Sequence, residues 1–232
     1  MKKDFKIIGF DADDTLWVNE PYFQETERLF CDLLSDFQSA EVISKELLKT
    51  EVQNIELYGY GAKGFMLSMI ETAQRVSNNR IQNSVIGGII NLGKELLNKP
   101  VELLDGIHEV LEKLQKAGYT IIVATKGDLL DQERKLSKSN IGKYFHHVEI
   151  MSDKKESNYK KLLSHLNIAP EEFLMVGNSM KSDIIPVFNI GGYGLYVPYH
   201  TTWAYEKVEK TNEMNNFWEI EKVSELEALL DL

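Results

Sequence analysis

The chain has 232 residues, 43% of them hydrophobic and 27% charged, a composition that excludes disordered, collagen-like and coiled-coil proteins. Acidic residues outnumber Lys and Arg by 36 to 26, and the resulting net charge of −10 argues against a general nucleic-acid binder. The single cysteine, Cys31, excludes an intrachain disulfide. The apolar run behind the basic start Met1-Lys2-Lys3 stops at Phe10, too short for a signal peptide. We therefore expect a cytoplasmic protein without a membrane, nucleic-acid or disulfide partner.

The first predicted element is a strand. The apolar run Phe5 to Phe10 ends in the acidic loop Asp11-Ala12-Asp13-Asp14-Thr15, which is typical of a strand buried on both faces. Apolar residues at helical spacing then predict four helices, at residues 25–37, 41–57, 63–76 and 81–97. Pro100 ends this block, because proline disfavours helix in the residue before it. The block predicts an inserted four-helix bundle.

Helices and strands alternate beyond Pro100. Strands are predicted at 119–124, 148–151, 173–176 and 194–197, and helices at 106–117, 129–137, 156–166 and 183–190, the last interrupted by Pro186. This alternation indicates an α/β fold, a Rossmann-like doubly wound parallel sheet that includes the first strand. We expect one domain of residues 1–18 and 99–232, and an inserted helical domain of residues 19–98.

Polar residues follow four of the predicted strands, where open parallel sheets bind their ligands. In chain order they are Asp11 and Asp13, then Thr125 and Lys126, then Lys154 and Lys155, then Asn178 with Asp183. Acidic side chains that converge repel one another unless positive charge lies among them, and a hard cation with oxygen ligands supplies it. Together with a lysine and a helix N-terminus, the site suits a phosphoryl group bridged by Mg²⁺.

These residues resemble a known family. Asp11-x-Asp13-x-Thr15, Thr125 after a strand, Lys154 five residues before Tyr159, and Gly177-Asn178-Ser179-x-x-Ser182-Asp183 resemble the four ordered motifs of the haloacid dehalogenase superfamily. The helical insertion directly after the first motif resembles the superfamily's helical cap of the first type. The residues 19–98 would then be a cap domain over the α/β core.

The resemblance implies a role for each acidic residue. Asp11 would be the nucleophile that forms an aspartyl-phosphate, and Asp13 the acid that protonates the leaving oxygen and then the base that activates water. The carboxylates of Asp11 and Asp183 and the main-chain carbonyl of Asp13 would hold Mg²⁺. Asn178 stands where many relatives carry a second acid, so its contact with the metal, direct or through water, stays open.

The resemblance also implies the substrate contacts. Thr125, Lys126 and Lys154 would bind the phosphoryl group, Lys154 being preferred to Lys155 by its spacing to Tyr159. Caps of this type supply specificity from turns between helices, so Lys63, beside the glycine-rich turn at residues 59–64, is a candidate contact to the rest of the substrate.

We therefore expect a Mg²⁺-dependent phosphatase of a small phosphorylated metabolite, acting as a monomer or homodimer. A phosphomutase or phosphotransferase would use the same residues but exclude water from the reaction. A 2-haloacid dehalogenase of the same superfamily would need neither metal nor Asp13. A signalling receiver domain also combines Asp, Thr and Lys with Mg²⁺, but its phosphorylated Asp lies on a later strand and it has no insertion.

Overall fold

The structure, a computed structural model, describes residues 5–208 and 215–232. Residues 1–4, which contain the basic start Met1-Lys2-Lys3, lie outside this part. The chain divides into two compact units. The sheet unit comprises Met1–Val18, Val101–Lys126 and Gln132–Leu232, and the helical unit comprises Asn19–Pro100 and Gly127–Asp131.

A parallel sheet of six strands organises the sheet unit. Its strands are β1 (Ile7–Phe10), β2 (Thr120–Lys126), β3 (His147–Met151), β4 (Phe173–Gly177), β5 (Tyr193–Tyr196) and β6 (Phe217–Glu219). They lie in the order β3-β2-β1-β4-β5-β6, each parallel to its neighbours, which is the order of the doubly wound Rossmann sheet. The predicted fold class is confirmed. The strand order changes direction between β1 and β4, where such sheets form their ligand crevice.

Four helices build the helical unit. They are α1 (Glu20–Leu33), α2 (Ala40–Tyr58), α3 (Ala62–Val76) and α4 (Asn83–Leu97). Their apolar faces enclose a separate core, in which Phe30, Leu47, Met69 and Ile89 are fully buried. Apolar spacing thus predicts all four helices, although α1 begins five residues earlier than expected, with Pro21 in its first turn, where proline needs no hydrogen-bond acceptor.

Five further helices follow in chain order within the described residues. They are α5 (Ile107–Lys116), α6 (Leu129–Ser139), α7 (Glu156–His165), α8 (Ile185–Asn189) and α9 (Leu226–Leu230). The expected interruption at Pro186 is wrong, because Pro186 lies in the first turn of α8, behind a π-helical turn at Met180–Ile184. The described helices include none with the length and apolar character needed to cross a bilayer.

Alternating residues of the central strands supply two cores. Ile8 and Phe10 of β1 belong to the core on one face of the sheet, and Ile7 belongs to the core on the other, with Tyr159 of α7 and Phe173 of β4. Successive side chains of a strand point to opposite faces, so a strand covered on both faces needs an unbroken apolar run. The strand ends are therefore the first positions where this sequence can place charges, and they meet at one edge.

Candidate active site

Asp11 lies at the crevice between β1 and β4. It directly follows β1, and its main-chain N–H donates to the carbonyl oxygen of Val176 in β4, over 2.9 Å. Its neighbour Ala12 is fully buried, and the Leu16 N–H donates to the Ala12 carbonyl at 2.8 Å, so the loop folds back on itself. Sheet and loop thus fix the backbone on both sides of the Asp11 carboxylate.

One lysine joins two buried carboxylates. The Lys154 ammonium donates to Asp11 Oδ1 and, over 2.6 Å, to Asp183 Oδ1. The side chains of Lys154 and Asp183 are each 1% exposed. Burial raises the pKa of Asp11 to about 7, with Asp183 adding to the rise and Lys154 opposing it. Burial lowers the pKa of Lys154, but the two carboxylates outweigh burial and raise it overall, so the lysine stays charged.

The neighbouring lysine has a different environment. The side chain of Lys155 is 71% exposed, and its ammonium pairs with Asp153 at 2.9 Å. The Lys154 N–H donates to Asp153 Oδ1, also over 2.9 Å, so Asp153 shapes the turn between the two lysines. Of this pair, Lys154 is the one in the buried cluster.

The turn after β4 orients Asp183 through its own backbone. The Ser179 N–H donates to Asp183 Oδ2 at 2.9 Å, and the Ser182 N–H donates to Ser179 Oγ at 3.0 Å. A Cβ atom on Gly177 would lie 2.3 Å from Asp183 Oδ2, closer than any real contact allows. Glycine is therefore required at the end of β4, because the Asp183 carboxylate occupies the space of a side chain.

The Asn178 amide and the Thr15 hydroxyl contact Oδ2, the second carboxylate oxygen of Asp11. The Asn178 amide donates to Asp11 Oδ2 at 3.2 Å and to the main-chain carbonyl oxygen of Asp13 at 3.3 Å. Thr15 Oγ1 also donates to Asp11 Oδ2, over 3.3 Å. Both oxygens of Asp183 are instead engaged by Lys154 and Ser179. Within residues 5–208 and 215–232, no three His, Cys, Asp or Glu side chains cluster as a metal site.

The Asp13 carboxylate accepts three hydrogen bonds from side chains. Oδ1 accepts from Trp17 Nε1 at 2.7 Å and from Lys135 Nζ at 2.9 Å, and Oδ2 accepts from Gln132 Nε2 at 2.7 Å. The sequence alone does not indicate Trp17, Gln132 or Lys135 as partners of Asp13. Two of them lie more than a hundred residues from Asp13, and nothing in their local sequence distinguishes them from an ordinary helix surface.

Thr125 and Lys126 end β2, but they face different surroundings. Thr125, near the carboxyl end of β2, is 2% exposed. The Lys126 ammonium pairs with Glu206 Oε1 at 2.5 Å and donates to Ser182 Oγ at 2.9 Å. Ser179 Oγ and Ser182 Oγ donate to Glu206 Oε2 at 2.5 and 2.7 Å.

Glu206 also contacts the candidate site, although the sequence did not predict it as a site residue. It ends a 3₁₀ turn at Ala204–Glu206, in the segment after β5. Burial alone would raise its pKa, but Lys126 and the hydroxyls of Ser179 and Ser182 outweigh burial and lower it. A signal was present, because β5 belongs to the same parallel sheet and the segment after it must also begin at the edge that carries the site.

Lys63 belongs to the helical unit, in the first turn of α3. Its ammonium pairs with both carboxylate oxygens of Asp128, at 2.9 and 3.0 Å. Asp128 Oδ1 also accepts the Asp131 N–H at 3.1 Å, which satisfies a donor in the first turn of α6. The turn before α3 contains Gly59 and Gly61 with φ of 70° and 101°, which glycine adopts without strain.

Known proteins resemble the chain in sequence and structure. The family of haloacid dehalogenase-like hydrolases matches residues 5–190. A glyceraldehyde 3-phosphate phosphatase of Pyrococcus furiosus is 30% identical over 206 residues, covering 84% of this chain and 81% of the relative. Its counterpart from Pyrococcus abyssi is 32% identical over 207 residues, covering 84% and 82%.

A solved structure agrees with this assignment. The crystal structure of a haloacid dehalogenase-like family hydrolase from Xanthomonas campestris superposes with a TM-score of 0.88 at 35% identity, covering 98% of this chain and 91% of that one. The family match includes Asp11, Thr125, Lys154 and Asp183. The chain belongs to the haloacid dehalogenase-like hydrolases.

Proposed function

We propose that the protein is a Mg²⁺-dependent phosphatase that hydrolyses a small phosphate monoester through an aspartyl-phosphate on Asp11. The observation that carries this proposal is the Asp11 carboxylate, which is buried at the crevice of the sheet and bonded to the Lys154 ammonium. The phosphatase names of the two Pyrococcus relatives support it. They also make a triose phosphate, glyceraldehyde 3-phosphate, the first substrate to test.

The reaction divides into two transfers between oxygen atoms. An Asp11 oxygen attacks phosphorus, the bond from phosphorus to the substrate oxygen breaks, and that oxygen takes a proton from the Asp13 carboxyl. Water then attacks the phosphorus, Asp13 takes a proton from it, and phosphate leaves Asp11 in its original form. Fixed groups that bind the phosphoryl oxygens stabilise both transfers without rearranging.

Thr125 and Lys154 are the proposed contacts to the phosphoryl group. Thr125 contributes a hydroxyl at the buried end of β2, and Lys154 contributes a charge held at Asp11. Lys126 is a further candidate, but its ammonium is already neutralised by Glu206, so we assign it first to supporting the turn at residues 179–183. Lys63, paired with Asp128, is proposed to contact the rest of the substrate.

The residues present fit a magnesium ion. The Asn178 amide lies 3.2 Å from Asp11 Oδ2 and 3.3 Å from the Asp13 carbonyl oxygen, and all three groups can offer oxygen, the ligand atom that Mg²⁺ prefers. Turning the Asn178 amide over would present its oxygen, in place of its nitrogen, to a cation held by the other two oxygens. Asp183 is proposed as the fourth protein group, beside Lys154. When bound, the ion would neutralise negative charge on the transferring phosphoryl group.

The test is phosphate release from glyceraldehyde 3-phosphate and a panel of other phosphate monoesters. We expect turnover with Mg²⁺, loss of turnover in excess chelator, and recovery when Mg²⁺ is returned. Full activity in chelator, or halide release from a 2-haloacid, would favour the dehalogenase alternative. Transfer of phosphate between substrate positions without release to water would favour the phosphomutase.

A further inference from the structure

The three donors to Asp13 reach its carboxylate from two parts of the sheet unit. Trp17 lies four residues along the same loop, where Asp14 has a left-handed φ of 61° and its N–H donates to the Trp17 carbonyl at 2.7 Å. Gln132 and Lys135 are three residues apart on α6, which places them on one face of the helix. Loop and helix therefore hold the same carboxylate.

Two of the three donors, the side chains of Trp17 and Gln132, are held rigidly by burial. Trp17 is 1% and Gln132 is 4% exposed, so neither can change its side-chain conformation without disturbing the packing. Gln132 Nε2 also donates to the main-chain oxygen of Lys126, at 3.3 Å, which ties this amide to the end of β2. The orientation of the Asp13 carboxylate is thus linked to two strand ends.

The amide oxygen of Gln132 indicates that this orientation has a cost. Among the described residues, nothing donates a hydrogen bond to Gln132 Oε1, although the atom is buried. A buried polar atom without a partner is destabilising and calls for an explanation. Donation from Nε2 to Asp13 explains it, because the reverse orientation would place the amide oxygen against a carboxylate.

The donors are divided unequally between the two oxygens of Asp13. Oδ1 accepts from both Trp17 and Lys135, and the second of these bonds is charge-assisted. Oδ2 accepts from Gln132 alone among these donors. A carboxylate oxygen has about two accepting sites, so the remaining capacity of Asp13 lies on Oδ2.

We propose that Trp17, Gln132 and Lys135 are positioning residues for Asp13. Trp17 and Lys135 anchor Oδ1, and Gln132 orients Oδ2, which keeps accepting capacity and carries the proton. Oδ2 gives that proton to the leaving oxygen and later takes one from the attacking water. The inference rests on the proposed function, in which Asp13 is the acid and the base.

The test uses two esters that differ in their need for a proton. The leaving group of an alkyl ester such as glyceraldehyde 3-phosphate is a strongly basic alkoxide, which needs a proton. The leaving group of 4-nitrophenyl phosphate is only weakly basic. Lys135→Met should lower kcat/KM about 10²-fold for the alkyl ester, the lower end of what a general acid contributes, and leave the aryl ester nearly unchanged. Lys135→Arg, which restores a charged donor, should recover the alkyl ester.

Controls separate positioning from folding. Lys138→Met removes a charge from the exposed face of the same helix and should change neither ester. Trp17→Phe removes the donor while it keeps an aromatic ring in the buried site, so it is the second variant if Lys135→Met does not fold. It should show the same preference for the aryl ester. Asp13→Asn, measured in parallel, gives the full effect of losing the acid.

The outcomes distinguish the positioning role of Trp17 and Lys135 from the role of Asp13 as the acid. Equal loss on both esters, or no loss on either, in Lys135→Met and Trp17→Phe overturns the inference. If Asp13→Asn still discriminates between the esters in that case, the proposed function stands. If Asp13→Asn does not discriminate, the role of Asp13 as the acid fails, and the inference fails with it.

Discussion

Lys154 connects the chemistry of the site to its stability. Its ammonium is buried and bonded to the carboxylates of Asp11 and Asp183, so one positive charge faces two negative ones. Breaking a buried ion pair by removing one partner is strongly destabilising, because the other partner is left charged in a medium that cannot solvate it. Substitution of Lys154 should therefore reduce both activity and stability.

The matched comparison is Lys154→Met with Lys155→Met. In the absence of Mg²⁺ at neutral pH, we expect Lys154→Met to lower the free energy of unfolding by about 3–5 kcal/mol. In the presence of Mg²⁺, where the wild type is expected to be active, Lys154→Met should abolish turnover. Lys155 is exposed, so Lys155→Met should change the free energy by less than about 1 kcal/mol. Urea unfolding and phosphatase assays measure both. Similar losses in the two variants would mean that Lys154 does not hold the carboxylates.

The sequence predicts those site residues that end a strand or directly follow one. Asp11, Thr125 and Asn178 were selected in this way, because the end of a buried apolar run marks the edge of the sheet. Gln132, Lys135 and Glu206 were not selected. They reach the site from a helix surface and from the segment after β5, and their contacts depend on how distant segments pack, which local spacing does not encode.

At the contact between α1 and α2, burial and neighbouring carboxylates destabilise the charged form of Glu51. Burial raises the pKa of Glu51 in α2 to about 8, and the carboxylates of Glu27 and Glu20 in α1 raise it further. Ser44 Oγ donates to Glu27 Oε1 at 2.5 Å, so Glu27 is itself fixed at this contact. The helix pair therefore favours a protonated Glu51.

This predicts a pH-dependent effect of Glu51→Gln. Because the pKa of Glu51 is about 8 in the folded state and near 4.5 in the unfolded state, the folded state binds more protons between these values. The contribution of Glu51 to stability is therefore full below pH 4.5 and lost as pH rises toward 8. Glu51→Gln should raise the melting temperature over wild type more at pH 8.5 than at pH 5.5. Thermal melts at the two pH values measure the difference.

The control for this experiment is Glu56→Gln, on an exposed position of the same helix. It should change the melting temperature equally, and slightly, at both pH values. If Glu51→Gln also gave a difference independent of pH, the protonation of Glu51 at the helix contact would be contradicted.

The length of an apolar pattern decides which helices and strands the sequence predicts. The helices α1 to α4 and the strands β1, β2 and β4 have apolar patterns long enough to recognise. β6 has three residues, Phe217–Glu219, and α9 has five, so neither is long enough to repeat its period and be recognised from the pattern. Pro186 predicted a break but lies in a first helical turn, because the preceding π-helical turn ends before it.

For the whole molecule, the fold accounts for the position of the site. Six parallel strands place the ends of β1 and β4 side by side at the switch in strand order, and the charged residues that follow them meet there. The alternation of helices and strands predicts the parallel sheet, and the comparisons confirm the family that the ordered motifs resemble. We propose that residues 19–98, which lie in the helical unit, form a cap domain.

The proposed function requires that Asp11 carries the phosphoryl group during turnover. Asp13→Asn offers the most direct test, because loss of the base slows hydrolysis of the intermediate, while 4-nitrophenyl phosphate needs no acid to form it. Acid quenching of Asp13→Asn during turnover, followed by peptide mass spectrometry, measures where phosphate is bound. We predict one phosphoryl group on Asp11 and none when Asp11→Asn is added. Release of 4-nitrophenol without label on Asp11, or with label on another residue, would contradict the account.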